Sequence, residues 1–198
     1  MIKSFDFFFD FVSPYSYLAH KQIRNIEHQN NIKIKYMPIF LSGLLNLAEI
    51  KAPAFIPSKA KFIIKDCKLF AKKFNIDFKF NSYFPLQSLG LMRGVLLAEE
   101  ENKASPYIDK FFDACWKEGM NLNDQKIVNK ILEDLTFNPK TFQTKISKQN
   151  IKDELKKRTN DAFVRGVFGV PSFIINNKMF WGQDRLEFVL NEAKKNND

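Results

Sequence analysis

The spacing of hydrophobic residues changes along the chain. Apolar residues dominate positions 5–12, a stretch that is long enough for a strand and too short to span a membrane. A helical pattern follows from Pro14 to about Glu27, and proline is well placed in the first turn of a helix. Apolar and polar residues then alternate from Ile32 to Phe40, which predicts a second strand. Because a helix joins the two strands, the pattern predicts a βαβ unit with parallel strands.

From Leu41 to about Gly166, apolar residues recur at helical spacing and strand signals nearly vanish. One helix is predicted over 58–74, a second starts near Leu86, and the last covers about 150–165 with Phe163 facing inward. Two glycines interrupt the second of these helices and predict close packing there, at Gly90 and Gly94. Three polar residues are expected at the starts of further helices, namely Ser105, Asp124 and Asn138.

The tail returns to strand patterns. Residues 173–175 and 178–181 flank an Asn176-Asn177 turn and predict a hairpin, and a closing helix is predicted over 185–194. The order is therefore βαβ, a run of helices, and then ββα. This is an α/β chain in the order of the thioredoxin fold, with residues 1–40 and 167–198 forming one domain and residues 41–166 an inserted helical domain.

Composition narrows the possible partners. The formal net charge is +9, but the lysines are scattered and no arginine-rich run appears, so a solvated surface is favoured over a nucleic-acid site. The absence of a long apolar segment and of a leader pattern predicts a cytoplasmic protein with no membrane partner. The 22 phenylalanines predict that aromatic packing supplies much of the core.

The cysteines and histidines offer little chemistry of their own. Cys67 and Cys115 lie far apart on apolar helix faces, which favours free buried thiols over a disulfide. His20 and His28 have no cysteine or acidic partner at ligand spacing, so no metal site is predicted. No C-x-x-C sequence exists, which argues against a dithiol oxidoreductase.

The first turn carries the strongest candidate chemistry. Ser13-Pro14-Tyr15-Ser16 has the form of the C-x-x-C turn of thioredoxin-like redox proteins, with serine at both cysteine positions. Ser13 would lie where the first strand ends and the first helix begins, and backbone N–H groups there favour an anion such as a thiolate. The alternative is that Ser13 only caps the helix, because serine is a preferred N-cap residue.

Four stretches together carry a family resemblance over essentially the whole chain. They are F-D-F-V-S-P-Y-S-Y-L-A from Phe9, A-P-A-F-I-P-S-K from Ala52, F-P-L-Q-S-L from Phe84, and G-V-F-G-V-P-S-F followed by W-G-Q-D-R-L ending at Leu186. On these residues the chain resembles the DsbA-like branch of the thioredoxin superfamily that holds 2-hydroxychromene-2-carboxylate isomerases and kappa-class glutathione transferases. One position departs from the family's G-N-K-x-P stretch, because Ile50 stands where an asparagine is usual, which removes a polar contact.

The resemblance implies a glutathione site. Ser13 matches the catalytic serine whose hydroxyl bonds the glutathione sulfur, and Val170 pairs with the cysteinyl part beside a cis-proline, Pro171. The segment Trp181, Gly182, Gln183 and Asp184 matches the part that holds the γ-glutamyl end, although Asp184 could also be an N-cap. Tyr15, Tyr83 and Phe84 are candidates for the wall of a second-substrate site, although aromatic residues in such a chain are more often core.

The function implied is glutathione-dependent isomerisation of an aromatic-catabolism intermediate. A glutathione transferase that consumes glutathione with an electrophile, or a non-catalytic thioredoxin-like binding module, remains an alternative. The resemblance further implies a small aromatic carboxylate or electrophile as substrate, and a homodimer.

Overall fold

A four-stranded sheet forms the centre of the protein. The structure, a computed structural model, describes residues 3–27 and 32–195. Within these residues the strands are β1 (Lys3–Phe9), β2 (Ile32–Pro38), β3 (Ser172–Ile175) and β4 (Lys178–Trp181), in the order β2-β1-β3-β4. β2 is parallel to β1, whereas β3 is antiparallel to both β1 and β4. The predicted βαβ and hairpin units are therefore confirmed.

The helices follow the predicted order. They are α1 (Pro14–Glu27), α2 (Leu41–Leu47), α3 (Pro57–Lys73), α4 (Leu89–Glu100), α5 (Ala104–Trp116), α6 (Gln125–Asp134), α7 (Pro139–Ile146), α8 (Gln149–Val164) and α9 (Leu186–Lys194). Short 3-10 helices cover Pro53–Phe55 and Gln183–Arg185. The thioredoxin-like order with a helical insertion is thus present, and the division into two domains at residues 40 and 167 stays a prediction.

Phenylalanines bury β1 on both of its faces. Phe5, Phe7, Phe8 and Phe9 are at most 2% exposed, and the Phe7 ring stacks on Phe173 of β3 with centroids 5.4 Å apart. A strand covered on both faces is expected to be continuously apolar, which explains why β1 does not alternate. The same core extends through the rings of Phe11, Phe111 and Phe112 into the inserted helices, so the sheet and the insertion share it.

The two glycines of α4 differ in their surroundings. A Cβ at Gly94 would lie 2.1 Å from the Tyr107 hydroxyl and 2.9 Å from the Phe142 ring, so α4 approaches α5 and α7 as closely as a glycine permits. A Cβ at Gly90 would meet only Ile146, at 4.0 Å. The prediction of close packing is confirmed for Gly94 and wrong for Gly90.

Several predicted boundaries are wrong by a few residues. β1 ends at Phe9 and not at Val12, because the chain turns at Asp10 to begin α1. α4 begins at Leu89, three residues after Leu86. α8 matches its predicted range to within one residue at each end, but Phe163 is 39% exposed instead of packing inward.

The predicted helix caps gave mixed results. Asp124 accepts a hydrogen bond from the Lys126 N–H and Asn138 from the Thr141 N–H, so both cap their helices as expected. Ser105 is not a cap, since α5 already begins at Ala104. The Ser105 hydroxyl instead accepts a hydrogen bond from Arg24 of α1. Its side chain therefore connects two helices and does not cap α5.

Both cysteines are free and buried, as predicted. No helix in the described ranges is both long enough and apolar enough to cross a bilayer. His20 is buried with both ring nitrogens facing polar groups, whereas His28 lies outside the described residues.

Candidate functional site

Ser13 lies where α1 begins, and its hydroxyl serves two partners. Its Oγ accepts a hydrogen bond from the Ser16 N–H at 3.2 Å, which is the N-cap arrangement. The same hydroxyl donates to the Val170 carbonyl at 3.3 Å, across 157 residues of sequence. The two interpretations of Ser13 are therefore compatible, because a capping oxygen still has a proton to donate.

Hydrogen bonds connect three segments that are distant in sequence, and one of these bonds is made by this hydroxyl. The peptide bond between Val170 and Pro171 is cis, as predicted, and Val170 contacts Ser13 directly. The Gly182 N–H donates to the Pro171 carbonyl at 3.0 Å. Gln22 of α1 donates to the Gln183 side-chain oxygen at 3.3 Å. Hydrogen bonds thus join the α1 turn, the cis-proline segment and residues 182–183.

The segment from Trp181 to Asp184 turns sharply between β4 and α9. Gly182 has φ = +114°, and a Cβ there would lie 2.6 Å from a carboxylate oxygen of Asp184, so only glycine fits this turn. Gln183 is buried, whereas Trp181 is half exposed and packs on Phe168 with ring centroids 4.9 Å apart. The segment therefore presents an aromatic surface and a carboxylate beside a buried amide.

Asp184 does not cap the closing helix. Its carboxylate pairs with Arg185 at 2.8 Å, and the residue that precedes α9 is Arg185. The N-cap interpretation of Asp184 is wrong, which leaves the carboxylate on the surface beside Tyr15, where its charge contributes to raising the tyrosine pKa.

The three aromatic residues predicted for a substrate wall differ in their contacts. Tyr15 follows Ser13 in α1 and donates from its hydroxyl to Asp66 of α3 at 2.8 Å; burial and this carboxylate raise its pKa. Phe84 is half-buried and packs against Phe80 and Trp116 in the loop before α4, next to the 52% exposed Tyr83. A substrate role for these residues stays a prediction.

Two further residues of the motifs discussed above, Ser16 and Ile50, differ in their burial. Ser16 is fully buried, and its hydroxyl has no hydrogen-bond partner among the described residues. It lies in the first turn of α1, while Ser13 is the residue immediately before this helix. Ile50 is 38% exposed beyond the end of α2, at the place where an asparagine was expected from the resemblance.

Sequence reasoning missed Asp10, which lies directly beneath the Ser13 turn. Its carboxyl is fully buried and accepts hydrogen bonds from the Val12 and Leu41 N–H groups at 3.0 and 2.8 Å. Burial raises its pKa to about 6, against the opposing effect of these hydrogen bonds. The available signal was a carboxylate within the apolar run of residues 5–12, three residues before Ser13.

The described residues hold no group of three histidine, cysteine, aspartate or glutamate side chains that could bind a metal ion. His20 directs Nε2 to Asp109 at 2.8 Å and Nδ1 to the Tyr36 hydroxyl at 2.9 Å. This buried histidine therefore joins α1 to β2 and α5 through polar contacts.

Comparison with known proteins shows which family the chain resembles in sequence. Residues 4–194 match the DSBA-like thioredoxin domain. A 2-hydroxychromene-2-carboxylate isomerase of Sphingobium xenophagum is 28% identical over 96% of this chain and 97% of its own. The kappa 1 glutathione S-transferase of Rattus norvegicus is 25% identical over 93% of this chain and 88% of its own.

Solved structures agree with the sequence matches. A 2-hydroxychromene-2-carboxylate isomerase superposes with a TM-score of 0.86 at 26% identity, covering 96% of this chain and 93% of that protein. A probable DsbA oxidoreductase from Streptomyces coelicolor superposes with a TM-score of 0.70 at 13% identity, covering 98% and 91%, and shares the fold.

Proposed function

Because the chain belongs to the DSBA-like thioredoxin domain family, we propose that it is a glutathione-dependent isomerase resembling 2-hydroxychromene-2-carboxylate isomerase. The observation that carries the proposal is the Ser13 hydroxyl, which donates to the cis-proline segment from the residue that caps the start of α1. The proposal is supported by the 2-hydroxychromene-2-carboxylate isomerases that match nearly the whole chain in sequence and in structure.

Ser13 would stabilise the thiolate of bound glutathione. A free thiol has a pKa near ~8.5, and each unit of depression requires about 1.4 kcal/mol of differential stabilisation. A hydroxyl donor and the N-terminus of α1 favour the anion together. On glutathione binding, the Ser13 hydroxyl proton would turn from the Val170 carbonyl to the sulfur. The hydrogen bond from the Ser16 N–H to Ser13 Oγ would remain and hold the hydroxyl in place.

The remaining glutathione contacts follow from the same three segments. The backbone of Val170 beside Pro171 would pair with the cysteinyl part. The γ-glutamyl carboxylate would meet backbone N–H groups where the closing helix begins, next to Trp181, and its ammonium would meet Asp184. Asp184 is suited to this role because its present partner, Arg185, is half exposed and exchanges readily with solvent.

The proposed reaction balances without an added oxidant or reductant. The thiolate would add to an electron-poor carbon of a conjugated enone, forming a C–S bond and an enolate. Bond rotation in the adduct would be followed by return of the enolate electrons and cleavage of the same C–S bond. The substrate is isomerised and the glutathione thiolate regenerated, so glutathione is a cofactor here.

Two other functions have specific support. The kappa-class relatives favour a transferase, in which the adduct is released and glutathione is consumed. Ile50 favours a binding module without catalysis, since it replaces a polar family residue with an exposed apolar one.

Glutathione mass balance with a 2-hydroxychromene-2-carboxylate separates these functions. We expect substrate conversion that requires glutathione while the total glutathione remains constant. Loss of one glutathione per product, tested also with an electrophilic halo-aromatic, would show a transferase. No conversion, together with no glutathione binding by calorimetry, would favour the binding module.

We propose that the protein forms a homodimer through the exposed face of α3 and the preceding 3-10 helix. Phe55, Phe62 and Leu69 are each about 60% exposed, and Phe62 and Leu69 lie two turns apart on one side of α3. Large exposed apolar side chains grouped on one helix face are typical of protein contacts. Lysines 61, 65, 68 and 72 border this face and would form a solvated rim.

A further inference from the structure

The Asp10 carboxylate joins the turn that carries Ser13 to the start of α2. Oδ1 accepts from Val12 in the turn that precedes Ser13, and Oδ2 accepts from Leu41, the first residue of α2. The Ser88 side chain, at the residue that precedes α4, also lowers the pKa of Asp10. The main-chain oxygen of Asp10 accepts from the Ser13 N–H at 3.1 Å, so the backbone of the same residue closes the turn.

An ionised carboxylate fits these partners better than any other side chain. All three partners can donate, and an ionised carboxylate offers two oxygens that only accept. An asparagine would place an NH₂ group opposite one of the two N–H donors, and a leucine of similar size would leave both N–H groups unpaired in the core. Because the charge is fully buried, its retention at this position has a high desolvation cost.

We propose that Asp10 is the positioning residue of this site: its buried carboxylate fixes the Ser13 turn against the first residue of α2, and so directs the Ser13 hydroxyl. Loss of the negative charge releases the Val12 or the Leu41 N–H, and the turn then loses its fixed place relative to Val170. The kinetic part of this proposal rests on the proposed function, whereas the structural part does not.

The charge state of Asp10 makes the proposal measurable. Burial raises the carboxyl pKa to about 6, so the carboxylate is protonated as the pH falls through that value. Within the described part of the chain, the titratable group that faces it is Cys115 of α5; burial raises the pKa of this thiol well above its usual value, so it stays neutral over this interval. Ser88, the backbone of α2 and the turn carry no titrating group toward it.

Amide NMR of the wild-type protein tests the structural part without any ligand. We expect the Val12, Ser13 and Leu41 N–H signals to titrate together with a midpoint near pH 6. They should not titrate in Asp10→Asn. Signals that stay unchanged between pH 5 and 8 in the wild type would overturn the proposal, and this measurement decides even if Asp10→Asn fails to fold.

Kinetics of Asp10→Asn tests the directing role. We expect kcat to fall roughly ten- to a hundredfold, because a misdirected hydroxyl loses its transition-state contact, while KM for glutathione changes less than threefold. The acid limb near pH 6 should disappear from the remaining activity. Asp6→Asn, the same change on β1 at a carboxylate that pairs with Arg165, is the matched control and should leave rate and pH profile intact.

The two failures are distinguishable. A folded Asp10→Asn with wild-type kcat and an unchanged pH profile would overturn the positioning role. If the wild type has no glutathione-dependent turnover, the proposed function fails, and the shift of the Ser13 N–H signal on Asp10→Asn substitution decides the positioning role alone.

Discussion

Single residues at this site have more than one task, and this limits what sequence can say about them. Serine before proline at a helix start predicted either a cap or a donor for Ser13, and the structure contains both a capping contact and a donated hydrogen bond. The second partner, Val170, is 157 residues away, so no local pattern could show it. Asp10 was missed for the same reason, since its partner Leu41 lies beyond α1 and β2.

His20 gives a prediction about pH and stability. Burial lowers its pKa below the ordinary 6.5, although Asp109 opposes this shift. At pH values below 6.5 the unfolded chain therefore binds a proton that the folded protein resists, and stability is lost as the pH falls. His20→Gln lacks this loss. The difference in the free energy of unfolding between wild type and variant should therefore become smaller from pH 7.5 to pH 5.

Urea unfolding of both proteins at the two pH values measures this gap. The raised pKa of Asp10 has the opposite effect on stability. Because Asp10 is present in both proteins, its contribution cancels when the two free energies of unfolding are subtracted. A gap that widens toward acid would mean that His20 is stabilised in its protonated form by Asp109.

Whole elements were predicted better than their ends. The period of the hydrophobic pattern identified α1, the hairpin and the run of helices, because burial of one face requires that period. Boundaries depended on tertiary contacts instead. Ser105 illustrates this, since the residue that sequence placed at a cap bonds Arg24 of another helix.

The close approach of α4 to α5 predicts opposite effects at two glycines. Gly94→Ala would place a methyl group 2.1 Å from the Tyr107 hydroxyl, which is buried and donates to the Leu91 carbonyl. Overpacking of this kind costs about 1–3 kcal/mol of the free energy of unfolding. Gly90→Ala has space for its methyl group and should be stabilising by about 0.5–1 kcal/mol, because alanine favours the helix.

Urea denaturation measures the free energy of unfolding of both variants, and each variant is the control for the other. Equal effects at both positions would contradict the packing described for α4, α5 and α7.

At the scale of the whole molecule, the fold does not by itself specify redox chemistry. Structures that share the fold include oxidoreductases, yet this chain has serine at both positions of the turn, and Cys67 and Cys115 are buried. We expect no reduction of insulin disulfides and no dithiol oxidation. Turnover in these assays that survives replacement of both cysteines by serine would contradict this expectation.

The proposed dimer gives a second prediction at this scale. Light scattering after gel filtration should give twice the monomer mass for the wild type and for Phe188→Asp, whose 54% exposed ring lies on α9. Phe62→Asp should give the monomer mass, because a carboxylate replaces the centre of the apolar face. A monomeric wild type, or dimers of all three proteins, would contradict the proposed interface.

The most direct test of the central claim measures the thiolate of bound glutathione. Its ultraviolet absorbance against pH, recorded for the wild type, Ser13→Ala and Ser16→Ala, reports the thiol pKa in each complex. A hydrogen bond to a charged group contributes about 1.5–3 kcal/mol, so Ser13→Ala should raise this pKa by about 1–2 units and slow turnover roughly ten- to a hundredfold. Glutathione affinity should change little, and Ser16→Ala should resemble the wild type, since the Ser16 hydroxyl has no partner among the described residues. Equal shifts in both variants, or no shift in Ser13→Ala, would reduce Ser13 to the cap of α1.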